Sequence, residues 1–293
     1  MEFAVLRFAI CFIGCAGATY YDLFNRRNVP SWLTYSLVAL GALFTLASLN
    51  INVIASNGLV ALVIFVFGYI LYRTGQIGGA DVLVFVSIAL LLPEAPQSIF
   101  LQAQSQLGLP FVVSVFVLSG MLAVFGIFLQ YMPATIYDIA RGEKVSISPS
   151  QVLLAAATLV FYAAFLYYLN GIAELPQTQI VVFAAVVVCA TSLFAFKDHI
   201  SDRYMIRMVG IDEIDEEDIL AVEKMDPRLV SRYKLDKLLT LKEIEKLKKI
   251  GKKKKFPVYK EMPVFMPYVF IALAVALLFG NPLAYLYPMG MLG

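Results

Sequence analysis

Residues 111–129 read FVVSVFVLSGMLAVFGIFL and carry no charged side chain. A helix of this length rises about 28 Å, close to the ~30 Å hydrocarbon core of a bilayer. The whole chain of 293 residues shares this character, because 60% of it is hydrophobic and only 15% is charged, with a mean hydropathy of +0.80. Soluble domains carry about 25% charged residues. The sequence therefore predicts a protein that is embedded in a membrane.

Similar apolar runs recur along the chain, and their number excludes a single signal peptide as the explanation. The runs divide the chain into a membrane domain of seven spans (1–196), a charged insert (197–262), and the last span with an external tail (263–293). They predict an all-α polytopic membrane protein with about eight transmembrane helices, at residues 3–21, 32–50, 55–72, 79–93, 110–131, 151–170, 178–196 and 263–280.

The basic residues predict how these spans are oriented. Of the 23 lysines and arginines, 22 lie in the loops after spans one, three and five or in the insert, and the alternate loops have none. Positively charged loops stay in the cytoplasm, so the insert is predicted to be cytoplasmic and both termini to lie outside the cell membrane. Only Arg7 falls on the other side, where we expect it to snorkel to the outer surface without a specific role.

The insert is predicted to be a small helical module. Thr240 and Glu243 match a capping box, apolar residues then recur every third position, and Gly251 is a typical helix stop, which together predict a short amphipathic helix. A second helix is predicted around residues 216–224. The run Lys252–Lys255 lies directly before the last span, a position typical of binding to anionic lipid rather than to nucleic acid.

Two aspartates stand at the ends of spans. Asp22 ends the inward-running first span and Asp81 begins the outward-running fourth span, so both are predicted at one depth, at the cytoplasmic face. Acidic residues in spans are costly and are typical of functional sites. When two carboxyl groups are held close, one keeps its proton, and such a pair activates water for peptide hydrolysis in aspartic proteases. This chemistry needs no metal and no cofactor.

Structural roles fit several of the same residues. Asp81 could simply cap the start of span four, and Asp138 could form an ion pair with Arg141 at the membrane interface. The single histidine, His199, is interpreted as an ordinary residue at the start of the insert. The cysteines lack the spacing of a metal or redox site and are interpreted as small apolar fillers: Cys11, Cys15 and Cys189.

Three stretches carry a resemblance to a known family: Asp22-Leu23 with Arg26-Arg27, Val29-Pro30 and Leu33-Thr34; Gly78-Gly79-Ala80-Asp81; and Pro263-Val264-Phe265-Met266-Pro267. In them the chain resembles the archaeal prepilin and preflagellin (prearchaellin) peptidases, relatives of the type IV prepilin peptidases among the GxGD aspartic membrane proteases. The resemblance implies that Asp22 and Asp81 are the catalytic pair. It also implies that the partners are prepilin-like or archaellin precursors with a class III signal peptide.

The residues beside the two aspartates are the candidates for binding the substrate or shaping the site. Glycines let the backbone bend and let another chain approach closely. The candidates are Gly78, Gly79 and Ala80 before Asp81, and Tyr21, Arg26, Arg27 and Pro30 around Asp22.

Three other functions fit part of the pattern. Tyr21-Asp22 also matches the first motif of presenilin-like and signal-peptide-peptidase-like intramembrane proteases. A proton-coupled transporter could use the same acids, although such acids usually lie in the middle of the membrane. A membrane adaptor presenting the insert would need neither aspartate. For a peptidase, we expect the insert to regulate the enzyme or position its substrate, because it has no acid placed like Asp22 or Asp81.

Overall fold

The computed structural model describes residues 4–25, 28–94, 109–173, 177–251 and 254–279. The helices of the membrane domain are α1 (Ala4–Phe24), α2 (Ser31–Leu46), α3 (Ile51–Arg73), α4 (Gly79–Leu91), α5 (Phe111–Ala140), α6 (Pro149–Ala173) and α7 (Gln177–Ala195). The insert contains α8 (Lys197–Ile200), β1 (Ile206–Val209), β2 (Ile219–Leu220), α9 (Pro227–Tyr233), α10 (Leu241–Ile250) and β3 (Phe256–Tyr259), and α11 (Met266–Phe279) follows it.

The prediction of a helical membrane protein is confirmed. Within the described ranges, α1, α3, α5 and α6 are long and apolar enough to cross a membrane, and α7 with the bent segment after it makes a fifth candidate. The other apolar helices are shorter, because α2, α4 and α11 have 16, 13 and 14 residues. Each of the eight predicted spans coincides with one apolar helix, whereas eight full crossings stay a prediction.

Helix α4 lies at the centre of the membrane domain, in contact with α1, α2, α3 and α5. Nearly all its side chains are buried, including Val84 and Ile88, which have no exposed surface. A helix surrounded by protein on all sides can be apolar all round, which explains why its sequence has no polar face. Small residues allow the close contact: a Cβ at Gly41 would lie 2.7 Å from the Leu90 Cβ, and one at Gly68 would lie 2.6 Å from Val82 Cγ1.

Arg7 has a specific role, so the expectation that it only snorkels to the surface was wrong. Its guanidinium donates hydrogen bonds to the carbonyl oxygens of Leu90 (2.7 Å) and Leu91 (2.9 Å). These carbonyls lie at the C-terminal end of α4, where the backbone lacks intrahelical donors and a cation is favourable. Arg7 therefore fixes the start of α1 against the end of α4. This contact also places the opposite ends of the two helices, with Asp22 and Asp81, on the same side.

Asp138 does not pair with Arg141, which corrects another expectation. Its Oδ2 accepts a hydrogen bond from Tyr204 (2.5 Å) and lies 3.1 Å from His199 Nε2, and all three groups are buried or half-buried. The Arg141 guanidinium lies over the Tyr137 ring instead. His199 is thus part of a polar cluster that joins the end of α5 to the start of the insert. The cysteines are buried free thiols.

The insert contains a β-sheet, so its prediction as a purely helical module was wrong. The strands form an antiparallel sheet in the order β1-β3-β2, and Ile219 and Leu220 pair with Tyr259 and Val258. The predicted helix at 216–224 is β2 followed by a 3-10 turn. The sheet covers a hydrophobic core of its own, separate from the core around α4: Val209, Ile211, Ile214, Leu220, Leu235, Leu239, Leu247, Phe256 and Val258.

Helix α10 confirms the predicted amphipathic helix, and Gly251 ends it at a φ of 155°. The prediction of a capping box was wrong, because the Thr240 side chain makes no cap hydrogen bond. The Glu243 carboxylate instead accepts hydrogen bonds from the Asp236 backbone N–H and from Lys246 Nζ. Glu243 is buried, and these donors satisfy it. Lys252 and Lys253, half of the predicted lipid-binding run, lie outside the described residues.

We predict that Gly68→Ala destabilises the membrane domain by about 1–3 kcal/mol, because the added methyl group overlaps the stiff side chain of Val82. Gly58→Ala in the same helix is the matched control, since a Cβ there meets nothing within 4 Å. Thermal unfolding in detergent should show a lower Tm for Gly68→Ala and an unchanged or higher Tm for Gly58→Ala. Equal Tm changes would contradict the close packing of α3 on α4.

Candidate active site

Asp22 lies in the last turn of α1 and is bound by the start of α11. Its Oδ2 accepts a hydrogen bond from the backbone N–H of Met266 (3.1 Å), a residue 244 positions away in the sequence. Met266 is the first residue of α11, where the first N–H groups of the helix have no intrahelical partner and carry partial positive charge. The helix N-terminus therefore replaces the water that a carboxylate would lose on burial.

Asp81 lies in the first turn of α4. Its Oδ2 accepts a hydrogen bond from the backbone N–H of Gly78 (2.9 Å), so the side chain also satisfies the N-terminus of its own helix. The structural role expected for Asp81 is thus present. It does not exclude a catalytic role, because the carboxyl group has a second oxygen, which accepts a proton when the group is ionised and donates one when it is protonated.

The structure brings the two aspartates to the same end of the membrane domain. Asp22 and Asp81 are 8% and 7% exposed, and the two carboxyl groups are close enough to interact electrostatically. Each is held by the N–H of a different helix N-terminus. Such an arrangement gives two carboxyl groups in an apolar surrounding backbone N–H partners in place of the water that they lose on burial.

Of the other predicted site residues, Tyr21, Gly79 and Ala80 contribute to packing around this pair. Tyr21 and Ala80 are half-buried and pack against the core that surrounds α4. Pro30 is the residue before α2. A Cβ at Gly79 would lie 3.3 Å from the Tyr72 ring, so this glycine lets the end of α3 lie against the start of α4. Arg26 and Arg27 lie outside the described residues.

Two contacts of the site were missed from the sequence. Thr19 donates a hydrogen bond from Oγ1 to the Met266 carbonyl oxygen (3.2 Å), one turn before Asp22. Tyr72 covers Gly79 and donates to Glu217 of the insert (3.3 Å). The signal for the first was the Pro263–Pro267 stretch, which was recognised as a motif but not connected to Asp22. The second had no signal, because it joins residues 145 positions apart.

An apolar cavity of about 190 Å³ lies between α3, α4 and α5, near the start of α4. It is lined by side chains without charge, among them Ile77 and Val82 on either side of the Gly78–Asp81 turn, together with Phe67, Phe85 and Phe116. Among the residues that the structure describes, no group of three or more histidine, cysteine or acidic side chains could hold a metal ion.

The fold and site define a multi-pass helical membrane protein with a buried pair of aspartates at one end. Residues 9–128 match the model of the type IV leader peptidase family, and this segment contains both aspartates and all of α2, α3 and α4. The resemblance to prepilin and preflagellin peptidases is therefore confirmed at the level of this family, and the match supports a peptidase. Neither the curated proteins nor the solved structures gave a match.

We predict that Thr19→Val lowers the stability of the α1–α11 contact by about 1 kcal/mol, because it removes the hydrogen bond to Met266 without changing the side-chain shape. Thr158→Val is the control: Thr158 donates to the Leu154 carbonyl oxygen within α6 and is exposed. Thermal unfolding in detergent should show a lower Tm for Thr19→Val only. The same Tm in both variants would show that the hydrogen bond to Met266 contributes nothing.

Proposed function

We propose that this protein is a membrane aspartic endopeptidase that removes the short leader of prepilin-like or prearchaellin precursors, with Asp22 and Asp81 as its catalytic pair. The observation that carries the proposal is the placement of both buried carboxyl groups at one end of α1 and α4, each on a helix N-terminal amide. Both lie within the segment that matches the leader peptidase family.

The proposed reaction uses one ionised and one protonated carboxyl group. The ionised group takes a proton from a water molecule as the water oxygen attacks the peptide carbonyl carbon, while the protonated group donates its proton to the carbonyl oxygen. The gem-diol intermediate then collapses: the C–N bond breaks as the proton taken from water passes to the leaving amine, and one hydroxyl group of the diol returns its proton to the carboxylate that had protonated the carbonyl oxygen. One water is consumed, and the products are a carboxylic acid and an amine. The side chains of Asp22 and Asp81 suffice, so the mechanism needs no cofactor.

The cytoplasmic face is the proposed side of cleavage. The insert and the loops on the side of Asp22 and Asp81 carry nearly all the basic residues, a distribution typical of cytoplasmic segments. On the same argument both termini lie outside. We further propose that Lys252–Lys255 contacts anionic lipid headgroups, since only the short strand β3 and six further residues separate it from α11. Nucleic acid has no part in this function.

The apolar surrounding of the site supports a substrate that is itself partly membrane-embedded. Ile77 and Val82 flank the turn that carries Asp81 and face an apolar cavity. A precursor whose leader is followed by a hydrophobic segment can place its scissile bond at the carboxyl groups while that segment stays in contact with apolar surface.

The test is cleavage of a tagged precursor by the full chain in membranes. We predict that Asp22→Asn and Asp81→Asn each lower the rate by about 10²-fold or more, because each removes one partner of the proton transfer. Glu94→Gln is the matched control, since Glu94 is an exposed carboxylate just beyond the opposite end of α4. Leader removal is followed by gel mobility at equal protein levels.

The variants also separate the alternatives. Full cleavage by either aspartate variant would remove that residue from catalysis and contradict the proposed pair. Cleavage within the substrate's membrane segment would favour a presenilin-like protease. Proton-driven transport in proteoliposomes that is lost in both variants, with no precursor cleaved by the wild type, would favour a transporter.

A further inference from the structure

The insert touches the loop that leads into α4, the helix that carries Asp81. Tyr72 lies in the last turn of α3, just before the α3–α4 loop (residues 74–78), and its hydroxyl donates to Glu217 Oε1 (3.3 Å). One turn further, Gly75 has a φ of 73°, and a Cβ there would lie 3.1 Å from Ile219 Cδ1. The Ile219 side chain therefore packs directly on the backbone of this loop. Glu217 lies two residues before β2, and Ile219 is the first residue of β2. The edge strand of the insert sheet therefore packs on the end of α3 and on the α3–α4 loop.

The insert is also continuous with the segment that holds Asp22. Strand β3 ends at Tyr259, and the connecting segment, residues 260–265, leads directly to Met266, whose N–H binds Asp22. This segment is held at Glu261. The Glu261 N–H donates to the Met205 carbonyl oxygen (3.2 Å), and the Glu261 carbonyl oxygen accepts from the Tyr131 hydroxyl (3.4 Å).

Lys260 connects β2 with the start of the connecting segment. Lys260 Nζ donates to Asp218 Oδ2 (2.6 Å) and to Asp215 Oδ2 (3.2 Å). Asp218 stands between Glu217, which touches Tyr72 at the end of α3, and Ile219, which touches the α3–α4 loop. Desolvation lowers the pKa of Lys260, but its contacts with Asp218 and Asp215 outweigh this and hold the pKa above its ordinary value. Lys260 therefore stays charged at neutral pH and binds the start of the connecting segment to the turn that precedes β2.

We propose that the insert is a positioning device for the active site. The paired strands β2 and β3, joined at one end by Lys260 and Asp218, hold the α3–α4 loop through β2 and the connecting segment through β3, and so set the separation of Asp22 and Asp81. The proposal rests on the proposed function, because it takes these two aspartates as the reacting groups. It assigns to the insert a role in catalysis, although none of its side chains reacts with the substrate.

The separation is tested by electron spin resonance on the full chain with spin labels at Phe24→Cys and Gln76→Cys. Both positions are exposed and lie beyond Asp22 and before Asp81, whereas the three native cysteines are buried. We predict one narrow distance distribution for the otherwise unchanged chain and for Lys224→Met, which breaks the exposed Lys224–Asp202 ion pair of the insert (2.7 Å). Lys260→Met should broaden or lengthen the distribution, and Lys260→Arg should restore it. The same distribution in Lys260→Met would overturn the proposal.

Steady-state cleavage by the same Lys260 and Lys224 variants gives a second, independent result. Misplacement of reacting groups by about 1 Å costs on the order of 10²-fold in rate, so Lys260→Met should lower kcat by about 10- to 100-fold with little change in KM. Lys260→Arg should retain most of the activity, and Lys224→Met all of it. A raised KM with unchanged kcat would show that the insert binds the substrate instead, and would overturn the proposal.

Two further outcomes keep the proposals apart. If the wild type cleaves no precursor, the proposed function fails, and the spin-label distances alone decide whether the insert sets the separation of the two helix ends. If Lys260→Met unfolds the insert, Tyr72→Phe replaces it, because this variant keeps the ring on Gly79 and loses only the hydroxyl contact to Glu217. Tyr72→Phe should then change the distance distribution and kcat in the same direction, and no change in either would overturn the proposal.

Discussion

A carboxyl group inside an apolar helix bundle needs polar partners to replace water, and the arrangement of this protein follows from how that need is met. Asp22 obtains a backbone N–H from the start of α11, and Asp81 obtains one from Gly78 at the start of α4. Helix N-termini supply such groups without a side chain that would neutralise the acid. Helix α1 must therefore end where α11 begins, and both must meet the N-terminus of α4.

The rest of the membrane domain keeps these helix ends in register. Arg7 fixes the other ends of α1 and α4 by binding the Leu90 and Leu91 carbonyl oxygens. Glycines at positions 41 and 68 let α2 and α3 approach α4 closely. Because α4 is enclosed by these helices, a shift in any of them moves Asp81. We propose that the insert, on the side of Asp22 and Asp81, adds a further connection between the α3–α4 loop and the segment that leads to Met266.

The sequence predicted those parts that depend on composition and on position along the chain. Hydrophobic runs located the apolar helices, and the alternation of charged loops was enough to bring Asp22 and Asp81 to one end. The partners of these aspartates could not be predicted, because Met266 is 244 residues from Asp22 and acts through its backbone. Arg7 was misjudged for the same reason, since its acceptors are carbonyl oxygens that no sequence pattern marks. The insert sheet was not predicted, because its strands have only four, two and four residues and are too short to show an alternating pattern.

The central claim is that Asp22 and Asp81 form a pair in which one carboxyl group keeps its proton. Dicyclohexylcarbodiimide enters apolar sites and reacts with protonated carboxyl groups, so the most direct measurement is to treat the protein in membranes with it and locate the modified residue by peptide mass spectrometry. The account predicts modification at Asp22 or Asp81, loss of cleavage in proportion to it, and protection by a bound precursor. Modification of both aspartates with cleavage intact, or loss of cleavage with modification confined to Asp138, would contradict it.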